Sequence, residues 1–312
     1  MINKNFIRNI LPQILMISII CTSCGKSSKA EEKKHSDEYN AVASINELPM
    51  PVIPDSITDP IEKRIYAGMH YWDPLNFNDT IKSLDDAFME QSFANFTVIL
   101  GLQPDETSLR NAFAKMLEKA SVEPKALTKV EDIVKLYLAD PNSPMRSEEL
   151  WIAFLEVVTA DNRYADETEN LRYQFELEMA KKNRPGMKAK DFKYITKDGV
   201  KSSLYNTPVG SEGLILIFYD PECDHCKEII SALNQNPQIA QWIENKTYTV
   251  LAVDIAEDQD QWEKTLDKMP NNWIVGYNTD GVEDRDLYYF PALPVIYILG
   301  SDYIVKEKDV KI

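Results

Sequence analysis

The run GLILIFY, from Gly213 to Tyr219, is apolar at every position, so it reads as a strand buried on both faces. It leads directly into Cys223-Asp224-His225-Cys226 and then into the amphipathic helical pattern KEIISALNQ. YTVLAVDI reads as a second buried strand, QDQWEKTLDKM as a helix, NWIVGY as a short strand, and ALPVIYIL and YIVKEK as the closing strands. Ahead of the central run, DFKYI and GVKSSL read as a hairpin around Lys197-Asp198-Gly199. Strands alternating with helices predict an α/β sheet.

Before Arg184-Pro185-Gly186 the apolar spacing has a helical period. LRNAFAKMLEKA places Leu109, Phe113, Met116, Leu117 and Ala120 on one face, and VEDIVKLYL does the same with Val130, Ile133, Val134, Tyr137 and Leu138. Pro104 suits a first helical turn, Ser147 suits an N-cap, and EELWIAFLEVV is apolar enough for a central helix. About six helices are expected between Ile57 and Asn183. HYWDPLNF and LADPNSPMRSEELW read as a helix end and a turn, with a docking surface as the other reading. The chain thus divides into an all-α region over 55–185 and an α/β region over 186–312. After YIVKEK only Asp309 to Ile312 remain, too few for a further closing helix, so a truncated chain, or a sheet face covered by the helical region or a partner, is expected.

The N-terminus pairs Lys4 and Arg8 with a short apolar run, Ile10 to Ile20, which is too short to cross a bilayer. Residues 1–24 therefore read as a secretory signal, with Cys24 after the small residue Ser23 as the expected lipidation site. Cleavage there also removes Cys21 and leaves no odd thiol in an oxidising compartment. An ordinary signal peptide without lipid is the other reading. Residues 25–54 are polar and end in a proline cluster, the composition of a tether. A net charge of −16 argues against nucleic acid as a partner.

The two remaining cysteines could be a redox couple, two arms of a metal clip or a fixed bridge. A zinc clip needs about four ligands, and besides this CxxC the chain offers only His35, His70 and His225. A bridge closing so short a loop removes little chain entropy. A thiol peroxidase would want Thr three residues before a lone cysteine, and position 220 is Asp. A redox couple fits the order of strand, motif and helix. At the first turn of a helix, unpaired amides and the helix dipole favour a thiolate at Cys223, and Cys226 lies within reach to resolve a mixed disulfide. His225 adds an imidazole that supports the thiolate when protonated, whereas Glu222 and Asp224 oppose it.

Residues from about Gly186 onward resemble the thioredoxin-like fold, specifically the membrane-tethered TlpA/ResA-type thiol–disulfide oxidoreductases. GMKAKDFKYITKDGVKSSL resembles that group's N-terminal extension, and the whole chain resembles cell-envelope lipoproteins carrying a helical N-terminal domain of unknown function. The resemblance implies that Cys223 and Cys226 are the active-site pair and that Leu293-Pro294 is the cis-proline step packed against it. It also implies reduction of disulfide-containing proteins and resetting by an envelope thiol donor; no cofactor is expected, and the ligand count argues against a metal. The chain departs from the pattern at Glu222, where tryptophan is usual, and at Ile217, where a buried acid is usual. Glu228 and Asp254 are the substitute proton acceptors for Cys226. The rival reading is a tethered, non-catalytic adaptor built on a thioredoxin-like scaffold.

Overall fold

The structure, a computed structural model, describes residues 46–310. The predicted signal peptide, Cys21, Cys24 and most of the predicted tether lie outside the described residues. The chain divides between Leu177 and Glu178 into a helical unit and a sheet unit. Part of the stretch read as tether packs into the helical unit. Leu48 is buried in the helical core, and its N–H donates to Ser92 Oγ at 3.0 Å.

The helical region comprises α1 (Pro60–His70), the single turn α2 (Thr80–Ser83), α3 (Asp86–Leu100), α4 (Glu106–Ala120), α5 (Pro124–Val134), α6 (Glu148–Ala160) and α7 (Glu167–Ala180). Side-chain caps fix the starts of most of these helices. Asp59, Asp85, Asp105 and Ser147 each accept an amide from the first turn of α1, α3, α4 and α6. Pro104 therefore lies one residue outside the α4 cap rather than in its first turn. The VEDIVKLYL pattern changes pitch midway: α5 ends at Val134 and Lys135–Ala139 winds as a wider, π-helical segment. The core of this unit is an aromatic chain. Tyr71 stacks on Phe96, Phe96 meets Phe113 edge to face, and Phe113 meets Phe154, which stacks on Trp151. Tyr71 and Trp72 of HYWD are thus core residues at the end of α1.

The sheet unit contains β1 (Lys193–Thr196), β2 (Lys201–Ser203), β3 (Gly213–Tyr219), α8 (Asp224–Gln235), α9 (Pro237–Glu244), β4 (Tyr248–Asp254), α10 (Gln259–Thr265), β5 (Ile274–Asn278), β6 (Val295–Leu299) and β7 (Val305–Lys308). The strands form one sheet in the order β2-β1-β5-β4-β3-β6-β7. β3, β4 and β5 run parallel, while β6, β7 and the β1/β2 hairpin are antiparallel to their neighbours. Alternate residues of β3 feed two cores. Leu214, Leu216 and Phe218 pack with Phe192, Leu204 and Tyr288, whereas Ile215, Ile217 and Tyr219 pack with Cys226, Ile230 and Leu233 of α8 and with Trp262 of α10. One face is therefore covered by helices, and the other by aromatic and aliphatic side chains of this unit's own loops. α9 follows α8 without a break because Asn236 ends one helix and caps the next, with Pro237 at its first position.

Candidate active site

The buried strand β3 ends at Tyr219, and three loop residues carry the chain to Cys223, the N-cap of α8. The loop is fixed locally. Asp220 Oδ1 accepts the Glu222 amide at 2.7 Å, and the Asp220 carbonyl accepts the Cys223 amide at 3.2 Å. The side-chain sulfur of Cys223 then does what a capping oxygen does elsewhere: it accepts the Cys226 N–H at 3.2 Å. Cys223 is half-buried, Cys226 is fully buried in the core beneath it, and both are free thiols. Burial pushes the Cys226 thiol well above its ordinary value; the Asp220 amide works against this and the Cys223 sulfur adds to it. The two cysteines thus differ in kind, one reachable from outside and the other held back as a thiol.

The 16-residue connection from β5 to β6 returns to this place. Its Leu293–Pro294 peptide bond is cis, and the Leu293 carbonyl oxygen lies 3.9 Å from Cys223 Sγ. The structure therefore brings Cys223, Cys226 and Leu293-Pro294 together.

His225 and Glu228 lie elsewhere. They face each other at 3.9 Å on the outer side of α8, with side chains 66% and 80% exposed. Two residues along a helix from Cys226, Glu228 points away from the buried sulfur, so it cannot be that thiol's proton acceptor. Lys227 ties down the first turn by donating to Asp224 Oδ1 at 2.8 Å and to the Glu222 carbonyl at 3.2 Å.

Asp254 is fully buried at the end of β4, in register with Tyr219 on one side and Tyr277 on the other. Burial raises its carboxyl to about 7. The Ala256 amide, accepted at 2.8 Å, opposes the rise, and the charges of Asp220 and Asp258 add to it. Tyr219 was missed in the sequence because an aromatic residue in an all-apolar strand reads as core. Only the pairing with Asp254 gives its hydroxyl a chemical context.

Among the described residues no group of three or more His, Cys, Asp or Glu could hold a metal ion. Among them also, no helix is long and apolar enough to cross a membrane.

A family model described as a domain of unknown function, DUF5106, matches residues 23–183, and one described as thioredoxin-like matches residues 211–305. Among solved structures, a thioredoxin-like protein from Bacteroides caccae is 34% identical, with 85% of this chain and 94% of that one covered and a TM-score of 0.76. A conserved protein of unknown function from Bacteroides fragilis is 35% identical over 41% of this chain and 93% of that one, with a TM-score of 0.39. A thiol–disulfide oxidoreductase from Bacteroides fragilis is 21% identical over 40% of this chain and 91% of that one, with a TM-score of 0.35. No curated protein matches the chain. With its strand, cysteine turn and helix in place, and a relative of like sequence along most of its length, the chain belongs to the thioredoxin-like family and carries a domain of unknown function ahead of its sheet unit.

Proposed function

We propose that this protein is a thiol–disulfide oxidoreductase of the cell envelope, acting on disulfide-containing proteins through Cys223 and Cys226. The observation that carries the reading is the pairing of a reachable sulfur with a buried one: Cys223 Sγ accepts the Cys226 amide at 3.2 Å, and Cys226 is sealed beneath it. In the reducing direction the Cys223 thiolate attacks one sulfur of a substrate disulfide, and the other substrate sulfur leaves as a thiolate. Cys226 then attacks Cys223 Sγ, the mixed disulfide breaks, and the second substrate thiolate leaves. The cysteine pair has lost two electrons and awaits a thiol donor. The half-buried Leu293 carbonyl beside Cys223 offers an acceptor for the backbone of an extended substrate.

Turnover of a protein disulfide such as that of insulin, with dithiothreitol as donor, tests this. Cys223→Ser should abolish protein-dependent turnover, and Cys226→Ser should accumulate mixed disulfides visible by mass spectrometry. Wild-type turnover by the double serine variant sinks the reading.

The envelope location rests on the leader-like sequence and on Ser23-Cys24, where a lipid would anchor the chain to a membrane on its periplasmic side. Membrane-fraction mass spectrometry should find a diacylated Cys24 as the first residue, and Cys24→Ala should abolish the modification. An unmodified mature chain that begins elsewhere contradicts the anchor.

A further inference from the structure

In the core behind the cysteine pair, three buried polar atoms lack a hydrogen-bond partner: Tyr219 Oη, Asp254 Oδ2 and Trp262 Nε1. Their residues are at most 2% exposed. They also converge. Tyr219 and Asp254 are directly paired across β3 and β4, so their side chains leave the sheet on the same face. Trp262 packs in the same core as Tyr219, its indole N–H facing the tyrosine oxygen without meeting hydrogen-bond geometry. Cys226 belongs to that core as well.

The chemistry of the three groups matches in series. An indole N–H only donates, an ionised carboxylate only accepts, and a phenol does both. Tyr219 also responds to both of the other titrating groups. Its hydroxyl is raised first by burial, then by the charge of Asp254, and it responds to the charge of Cys226 as well.

We propose that the Tyr219 hydroxyl relays the Cys226 proton to Asp254 Oδ2, with Trp262 holding the tyrosine oxygen in place. The inference rests on the oxidoreductase reading above and concerns its second step. In the mixed disulfide, Cys226 holds S–H. Tyr219 accepts that proton as its own passes to the Asp254 carboxylate, and the Cys226 thiolate forms a bond to Cys223 Sγ. The bond from Cys223 to the substrate sulfur breaks, the electron pair leaves on that sulfur, and water later protonates it. The charged or titratable groups that act on Asp254 or pair with it in register beyond Tyr219 are Asp220 after β3, Asp258 after β4 and Tyr277 on β5. None of them is a cation that would hold the carboxylate permanently ionised, so its burial leaves it poised between its two forms near neutral pH.

The full chain treated with 5,5′-dithiobis(2-nitrobenzoate) reports this step. Cys223 takes up one thionitrobenzoate with release of the first, and attack by Cys226 releases the second. Stopped-flow absorbance of the second release against pH, with circular dichroism confirming the fold of each variant, is the measurement. Wild type should reach its plateau near neutral pH. Tyr219→Phe and Asp254→Asn should each slow the second release at neutral pH by about tenfold or more and move its rise to alkaline pH. The double variant should be no slower than either single one, because both interrupt one path. A wild-type pH profile in Tyr219→Phe overturns the relay, as do losses that multiply in the double variant. If wild type never releases the second thionitrobenzoate at any pH, the oxidoreductase reading itself fails and takes the relay with it.

Discussion

The backbone N–H of Cys226 points at the sulfur of Cys223 from 3.2 Å, so the second cysteine supports the first through its amide while its own sulfur is held beneath. The arrangement follows from one structural accident of helix starts. The first-turn amides of α8 need acceptors, and the residue in the N-cap position is a cysteine.

Iodoacetamide should therefore distinguish the two thiols in the folded protein. Peptide mapping after brief alkylation at neutral pH should find Cys223 modified and Cys226 protected by at least about tenfold, and the difference should vanish in denaturant. Equal labelling of both thiols in the native state would contradict the burial of Cys226.

Gly213 opens β3 with φ +144°, and a Cβ there would collide with the Leu299 carbonyl oxygen of β6. Since β3 is an interior strand paired on both sides, Gly213→Ala should cost about 2 kcal/mol or more, read as a lower midpoint in urea denaturation. Gly199, with φ +76° but open space around it, should cost less when replaced by Ala. The reverse ranking would contradict the register of β3 against β6.

Glu131 on α5 has a buried carboxylate oxygen without a hydrogen-bond partner. Burial, followed by the charges of Glu169, Asp132 and Asp166, raises its carboxyl to about 8. A proton is then held in the folded state that the unfolded state has already lost. The stability this confers is complete below the ordinary glutamate value and is lost as pH rises through about 8. Asp254, raised to about 7, acts with the same sign. Glu131→Gln should flatten the fall in thermal stability between the ordinary glutamate value and about pH 8, and raise the midpoint by a few degrees at about pH 9. No change in slope would contradict a raised Glu131.

Much of this architecture is written in the sequence, for identifiable reasons. The all-apolar Gly213–Tyr219 run and the adjoining cysteine turn locate the interior strand β3 and α8, because burial on both faces leaves no other reading. The helical faces of α4 and α5 are legible from their 3.6-residue spacing. What escapes depends on three-dimensional pairing. Helix α9 is short and abuts α8, so its pattern merges with the preceding one. Glu228 looks close to Cys226 in sequence but is turned outward by the helix. Tyr219 and Asp254 are 35 positions apart and become neighbours only through the parallel register of β3 with β4. Pro104 reads as a first-turn residue, but the side chain of Asp105 accepts a first-turn amide of α4 and sets its start at Glu106, two residues later.

The central claim is that Cys223 and Cys226 interconvert between dithiol and disulfide. Equilibrating the protein against a series of reduced-to-oxidised glutathione ratios, quenching in acid and counting free thiols by mass spectrometry measures this directly. The account predicts a reversible transition in which both thiols disappear together, reaching the same curve from the reduced and the oxidised side, and its loss in either single serine variant. Both thiols remaining free across the whole series, or oxidation that does not reverse, would contradict it.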